Sequence, residues 1–155
     1  MTISVSRSWR RPALALLLVV AFFTSGIVTD RSRADAAPRW RAEMLQLTNE
    51  DRVDANRDAL ELDLQLSRYA KRHSRDMAED GELSHTANLA DKLKNVDWTI
   101  GGENVGVCSS LSEVQDAFMA SKPHRRNILR REFDHAAIGV YRSGGNLWVT
   151  VIFYG

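Results

Sequence analysis

Gly101-Gly102-Glu103-Asn104-Val105, followed downstream by Ser121-Lys122-Pro123-His124-Arg125-Arg126-Asn127-Ile128-Leu129, decides how the rest of this sequence is read. The first piece is a glycine pair that delivers a carboxylate and an amide into a short apolar run. The second delivers an imidazole directly after a proline break, with two arginines and an asparagine behind it. A third piece, Ser84-His85-Thr86, stands upstream behind Gly81. Each polar side chain is set where the backbone must turn, and such turns are where sites are built on a rigid scaffold.

Working outward, the scaffold reads as alternating helices and strands. Over 38–55 the apolar positions Trp40, Met44, Leu47 and Val53 recur at helical spacing, and Asn56-Arg57-Asp58 breaks the pattern. Leu60 and Leu62 alternate with Glu61, and Asp63 is placed to cap the next helix. That helix carries Leu66, Ala70, His73 and Met77 on one stripe, with Tyr69 alongside and Gly81 as its stop. His73 on that stripe reads as a hydrogen-bonded packing histidine, whereas His85 stands in a polar turn. Residues 87–98 predict a helical turn around Leu89 and Leu93, and 100–107 a strand. Ser112-Glu113-Val114-Gln115 has the form of a capping box opening a helix with Val114, Ala117 and Phe118 on one face. Pro123 ends that helix near Ser121 and places His124 in the first turn of another stretch, through Leu129. Two β-rich runs, 133–141 and 147–153, are joined by Ser143-Gly144-Gly145-Asn146 as a hairpin. The order predicts an α+β fold, a sheet covered by helices.

The N-terminus reads as a leader. Arg7, Arg10 and Arg11 precede an unbroken apolar run, Ala13 to Phe23, and Ala34-Asp35-Ala36 supplies a small-residue cleavage pattern. The expectation is a secreted protein: residues 1–36 a signal peptide cut near Ala36-Ala37, residues 37–155 one domain, and an uncleaved leader as the only membrane attachment. The apolar run is short for a span of about 20 residues. The chain's 21 basic and 20 acidic residues give +1, but the leader holds five Arg and two Asp, which leaves 16 against 18, a balance of −2. Nucleic acid is therefore not an expected partner. Arg125, Arg126, Arg130 and Arg131 read as a solvated helix face. Cys108 is the single cysteine, so the exported domain is held by its core alone, and Cys108 reads as a small buried residue beside Val105 and Val107.

His85, Glu103 and His124 are the residue types of a two-histidine, one-carboxylate metal site with positions open for water or substrate. Their separations match no compact metal motif, so three unrelated polar residues at loop edges is the competing reading. Neither Ser84 nor Ser121 sits in a nucleophile elbow, and Gly101-Gly102 lacks the further glycine of a dinucleotide loop.

Ser84-His85-Thr86, Gly102-Glu103-Asn104 and Pro123-His124-Arg125-Arg126-Asn127-Ile128-Leu129 stand in the order, and at roughly the separations, of the CAP superfamily: cysteine-rich secretory proteins, antigen 5 and pathogenesis-related proteins. The chain resembles its cysteine-poor bacterial branch from about Leu45 through Phe153, including the helix Leu66-Ser67-Arg68-Tyr69-Ala70-Lys71-Arg72-His73-Ser74-Arg75-Asp76-Met77. The resemblance implies a three-layer α-β-α sandwich, a central antiparallel sheet flanked by helices. It implies a cleft bounded by His85, Glu103, Asn104, Ser121 and His124, in which His85 and His124 hold a divalent cation such as zinc in some relatives. His85, Glu103 and His124 are thereby also the candidate catalytic residues. The sequence departs from the family's His/Glu tetrad at Ser121, where fuller members carry a second glutamate. It also has Pro123 in place of glycine and Phe118 in place of tryptophan. A general acid/base pair wants two groups with separated pKa values, so one carboxylate argues against an enzyme. The expectation is a secreted, non-catalytic binding module whose cleft takes a cation, a lipid or a cell-wall component. The alternatives are a metal-assisted hydrolase working from the same cleft, and a scaffold in which Glu103 bridges both histidines while Asn104 and Asn127 satisfy backbone groups.

Overall fold

The structure, a computed structural model, describes residues 30–155, with side chains from Pro38 onward. The expected leader up to residue 29 lies outside the described residues. Nine elements follow: α1 (Asp30–Asp54), β1 (Glu61–Leu62), α2 (Leu64–Asp80), α3 (Leu89–Leu93), β2 (Gly101–Cys108), α4 (Leu111–Ala120), α5 (Lys122–Ile128), β3 (His135–Ser143) and β4 (Asn146–Tyr154). The first helix begins before the expected start and carries Pro38 within it. The residues ahead of the proline include Ala34, Ala36 and Ala37, the strongest helix formers.

The sheet has strand order β1-β3-β4-β2. The hairpin β3–β4 forms as expected, pairing Gly139 with Thr150 at its middle. Along β4's other side lies β2, antiparallel, with Glu103 opposite Ile152, so β2 is an edge strand. One strand was not foreseen: β1, two residues long, pairs in parallel with β3 through Glu61 and Leu62. The alternation around Leu62 is too short to carry that information by itself.

Two hydrophobic cores, one on each face of the sheet, make the three layers. On one face α1, α4 and α5 bury Met44, Leu111, Val114, Phe118 and Ile128 against Ile138, Val140, Val149, Val151 and Phe153. On the other, α2 and α3 bury Leu66, Ala70 and Leu93 against Ala137, Ile152 and Tyr154. Alternation along β4 sends Val151 and Ile152 to opposite cores, each such side chain contributing about 1.5–3 kcal/mol on burial.

The second helix meets the sheet through small residues. Its N-terminus is capped by Asp63, whose Oδ1 accepts from the Leu66 amide, and Gly81 stops it. The buried stripe includes Ser67, Ala70 and Ser74. A Cβ at Gly139 would stand 2.0 Å from the Ala70 carbonyl carbon, so only glycine allows β3 this close to the helix. Ser67 Oγ accepts from the Ile138 amide, and Ser74 Oγ donates to the Gly139 carbonyl and lies 2.9 Å from Thr150 Oγ1. His73 is turned to the stripe's margin, stacked on Tyr69 and within 2.8 Å of the Ser84 carbonyl, a hydrogen-bonded packing histidine.

Two sequence readings are corrected. Val53 is 59% exposed, and the buried row of α1 is instead Met44, Thr48 and Arg52. These stand four residues apart, one over the other on a single face. Arg52 donates to the carbonyls of Asp58, Ile128, Arg130 and Phe133, which its polarity hides from a pattern search. The capping box of α4 begins at Ser110, not Ser112. Ser110 Oγ accepts from the Glu113 amide, and Glu113 Oε2 accepts from the Ser109 amide and hydroxyl. Gln115 is thereby freed to face α1, donating to Asp51 and accepting from Thr48.

Candidate functional site

The edge strand β2 positions the site. Successive residues of a strand point to opposite faces, so Glu103 and Asn104 serve different neighbours. Glu103 turns toward the loop after α2. Its side chain is 5% exposed, and its two oxygens accept three bonds. Oε2 accepts from His85 Nδ1 at 2.8 Å and from the Thr86 amide at 2.9 Å, and Oε1 accepts from the Thr86 hydroxyl at 2.6 Å. The Thr86 hydroxyl has one proton, given to Glu103, so Tyr69 Oη donates to Thr86 at 3.1 Å. Because a carboxylate only accepts, His85 carries its proton on Nδ1 and leaves Nε2 with the free lone pair when the ring is neutral.

Asn104, fully buried, turns the other way, toward α5. Its Nδ2 donates to the His124 carbonyl and its Oδ1 accepts from Asn127 Nδ2, which also donates to the Glu103 carbonyl. His124 and Asn127 stand three residues apart, on one face of α5. The chain can come this near because residue 102 is glycine: a Cβ there would press on the Asn127 side chain at 3.1 Å and on Phe133 at 3.1 Å. Pro123, within the first turn of α5, needs no amide partner there and starts the helix where His124 can be presented.

His124 is held by packing rather than by bonds. Its ring tilts against Phe118, centroids 5.2 Å apart, and its ring nitrogens have no hydrogen-bond partner among the described residues. Burial lowers its pKa first, and the nearby His85 lowers it further, so the neutral ring is favoured. Along the open edge of β2, bordered by α4 and the start of α5, runs a cleft of about 240 Å³; of the residues expected at it, Ser121 and His124 are in its walls, while His85, Glu103 and Asn104 stand outside its lining. Leu83, Val105, Val107, Cys108 and Phe118 line it with them. Burial raises the Cys108 thiol pKa first, and Glu113 adds to the rise, which leaves it a poor nucleophile.

The fold thus brings His85 and Glu103 into direct contact, joins Asn104 to the backbone of His124, and sets Ser121 beside His124 at the cleft. Among the described residues no three His, Cys, Asp or Glu side chains form a group able to hold a metal. Both oxygens of Glu103 are bonded to His85 and Thr86. Thr86 and Tyr69 are partners of the site that the residue pattern did not single out. Their signal was available, a threonine beside His85 and a tyrosine on α2, but only the tertiary contact gives either one a role.

The model of the cysteine-rich secretory protein family, CAP, matches residues 45–153. The Bacillus subtilis protein YkwD is 28% identical over 127 residues, which cover 77% of this chain and 49% of YkwD. The crystal structure of an extracellular protein containing an SCP domain from Bacillus anthracis superposes with a TM-score of 0.73 at 27% identity, over 84% of this chain and 45% of that one. An outer surface protein of Borrelia burgdorferi shares the fold, with a TM-score of 0.62 at 21% identity, over 73% of this chain and 90% of that one. The chain spans about half the length of the two Bacillus relatives. With the match running from the middle of α1 to the end of β4, the chain belongs to the cysteine-rich secretory protein (CAP) family.

Proposed function

We propose that this CAP domain is an exported, non-catalytic binding module whose cleft takes a cell-envelope ligand with an apolar body, a lipid or a lipid-bearing cell-wall component. The observation that carries this reading is the engagement of Glu103. A carboxylate bonded to His85, to the Thr86 amide and to the Thr86 hydroxyl has three of its four lone pairs occupied, and it stands outside the lining of the cleft, away from a substrate held there. The second carboxylate of the family tetrad is replaced by Ser121. Beside this polar knot the cleft walls are apolar, with Val105, Val107 and Phe118 facing a ligand and His124 at one end to orient it. Export is supported by the leader pattern and by the extracellular and outer-surface relatives.

A divalent cation such as zinc would be held here by two imidazoles. Glu103 fixes the proton of His85 on Nδ1 and so presents Nε2, the arrangement in which a carboxylate orients a metal-binding histidine. His124, whose neutral form burial favours, is the second donor. A cation there would supply a positive pole for an anionic end of the ligand.

The test is thermal unfolding of the full chain against a panel of lipids and peptidoglycan fragments, with Ala117→Trp as the blocked variant. Ala117 is solvent-exposed on α4 and borders the cleft, so tryptophan there fills the cleft without disturbing the core. A ligand that raises the melting temperature of the wild type and not of Ala117→Trp supports the proposal. A panel without any stabilising member, or equal stabilisation of the blocked variant, overturns it.

A further inference from the structure

A second pocket, of about 330 Å³, lies between α2 and α3, with Arg68, Tyr69, Arg72, Lys92, Asn95 and Val96 among its walls. Three of these wall residues are cationic, and all three are solvent-exposed. Tyr69 stands between two of them: Lys92 Nζ lies 4.9 Å and the Arg72 guanidinium 5.9 Å from its ring centroid. An aromatic face steadies cations without neutralising them. Among the described residues none of Arg68, Arg72 and Lys92 makes an ion pair, whereas Arg75, farther along the same helix, is paired with both Asp76 and Glu79. One carboxylate, Asp63, also lines the pocket, its Oδ1 bonded to the Leu66 amide and its Oδ2 to the Tyr154 hydroxyl, so three cationic side chains stand against one anionic one. Like charges gathered in a concavity repel one another, and an anion entering it removes that repulsion. Two guanidinium forks and an ammonium match a tetrahedral oxyanion, and the amides of Gln65 and Asn95 are further donors at the wall. The domain that carries this pocket has a net negative balance, so the concentration of positive charge is local.

We infer that the α2–α3 pocket is a binding site for a phosphate-bearing group, separate from the cleft along β2 and independent of the function proposed for it. Tyr69 is the partition between the two: its ring faces the cations and its hydroxyl donates to Thr86, which in turn holds Glu103. Two sources carry the same chemistry, a soluble phosphate or phosphodiester and the headgroup of an anionic lipid.

The full chain is titrated with inorganic phosphate by calorimetry, and its partition onto phosphatidylglycerol vesicles is compared with that onto phosphatidylcholine vesicles. The pocket variant is Arg68→Gln/Arg72→Gln/Lys92→Gln. The control is Lys71→Gln/Arg75→Gln/Lys94→Gln, which removes the same charge from exposed positions outside the pocket lining. Saturable phosphate binding that weakens at least about tenfold in the pocket variant, and less than about twofold in the control, supports the site. If phosphatidylglycerol partition falls with the same three residues, the source is a lipid headgroup; if only soluble phosphate depends on them, the source is soluble. Equal losses in pocket variant and control, or the lack of saturable phosphate binding together with vesicle partition indifferent to the three residues, overturns the inference.

Discussion

Arg52 and Glu103 are both charged and both buried, Arg52 at 1% exposure and the Glu103 side chain at 5%, yet their surroundings differ in kind. The partners of Arg52 are all main-chain carbonyls, of Asp58, Ile128, Arg130 and Phe133. Those carbonyls belong to the loop after α1, to the last residue of α5 and to the chain between α5 and β3, places where regular structure supplies no donor. The guanidinium ties them to the first helix, and arginine stays protonated throughout the pH range in which proteins work. Glu103 is bonded to one amide, one hydroxyl and one histidine, and His85 is 61% exposed. A buried charge whose partners are all backbone is a clamp. A buried charge whose partner is a titratable group facing solvent is a site, because whatever alters the exposed group reaches the buried one.

The sharpest way to break the comparison is to remove the clamp. Arg52→Met keeps much of the stem packing and leaves four carbonyls short of a donor. The expected loss is about 3–5 kcal/mol of unfolding free energy, read by urea denaturation. Arg52→Lys should recover only part of it, since one ammonium cannot reach what a planar fork reaches. A variant within about 1 kcal/mol of wild type would mean that water replaces the guanidinium and that the clamp is ornamental.

Glu103→Gln has a smaller effect of a different sort. An amide preserves one acceptor and sets an NH2 group against a donor, at a cost of about 1–3 kcal/mol. It also frees the His85 ring, because neither tautomer is then enforced. Nitrogen chemical shifts of the imidazole should show a single Nδ1–H form in the wild type and a mixture in Glu103→Gln. An unaltered His85 tautomer would reduce Glu103 to the same class as Arg52.

The sequence carried one side of this contrast better than the other. Glu103 was legible because a glycine pair leading a carboxylate into an apolar strand has no use in a plain core, and because the three turns stand in the order of a known family. Arg52 was not, because helical periodicity counts apolar side chains, and the row Met44, Thr48, Arg52 contains one. Val53 took its place by hydropathy alone. The two-residue β1 escaped for a related reason: it rests on contacts between elements, the Asp134 and Ala136 carbonyls that take the amides of Glu61 and Asp63, and the Asn49 side chain that exchanges hydrogen bonds with the backbone of Leu60 just before it. The S-x-x-Q pattern misled because Ser110-Leu111-Ser112-Glu113 fits equally well, and Gln115 is better used against α1. In the site, the residues were legible and their bonds were not. No spacing says that the amide and the hydroxyl of Thr86 bond the two oxygens of Glu103.

The smallest effect concerns His124, whose ring has no hydrogen-bond partner among the described residues, in contrast with His85. Burial is the main reason that its folded pKa lies below the ordinary value, with His85 adding to it. The unfolded chain therefore takes up a proton at this position at a higher pH than the folded chain does. Stability from this group is fully present above the unfolded pKa of about 6.5 and declines as pH falls below it, levelling off beneath the folded value. His124→Gln removes that contribution while keeping a polar side chain of similar reach. Melting temperatures measured between about pH 7.5 and 5 should fall less steeply in His124→Gln than in the wild type, and the difference between the curves isolates this one group from the other histidines. Parallel curves would mean that the His124 ring reaches solvent on protonation, and packing against Phe118 would then no longer distinguish it from its bonded neighbour.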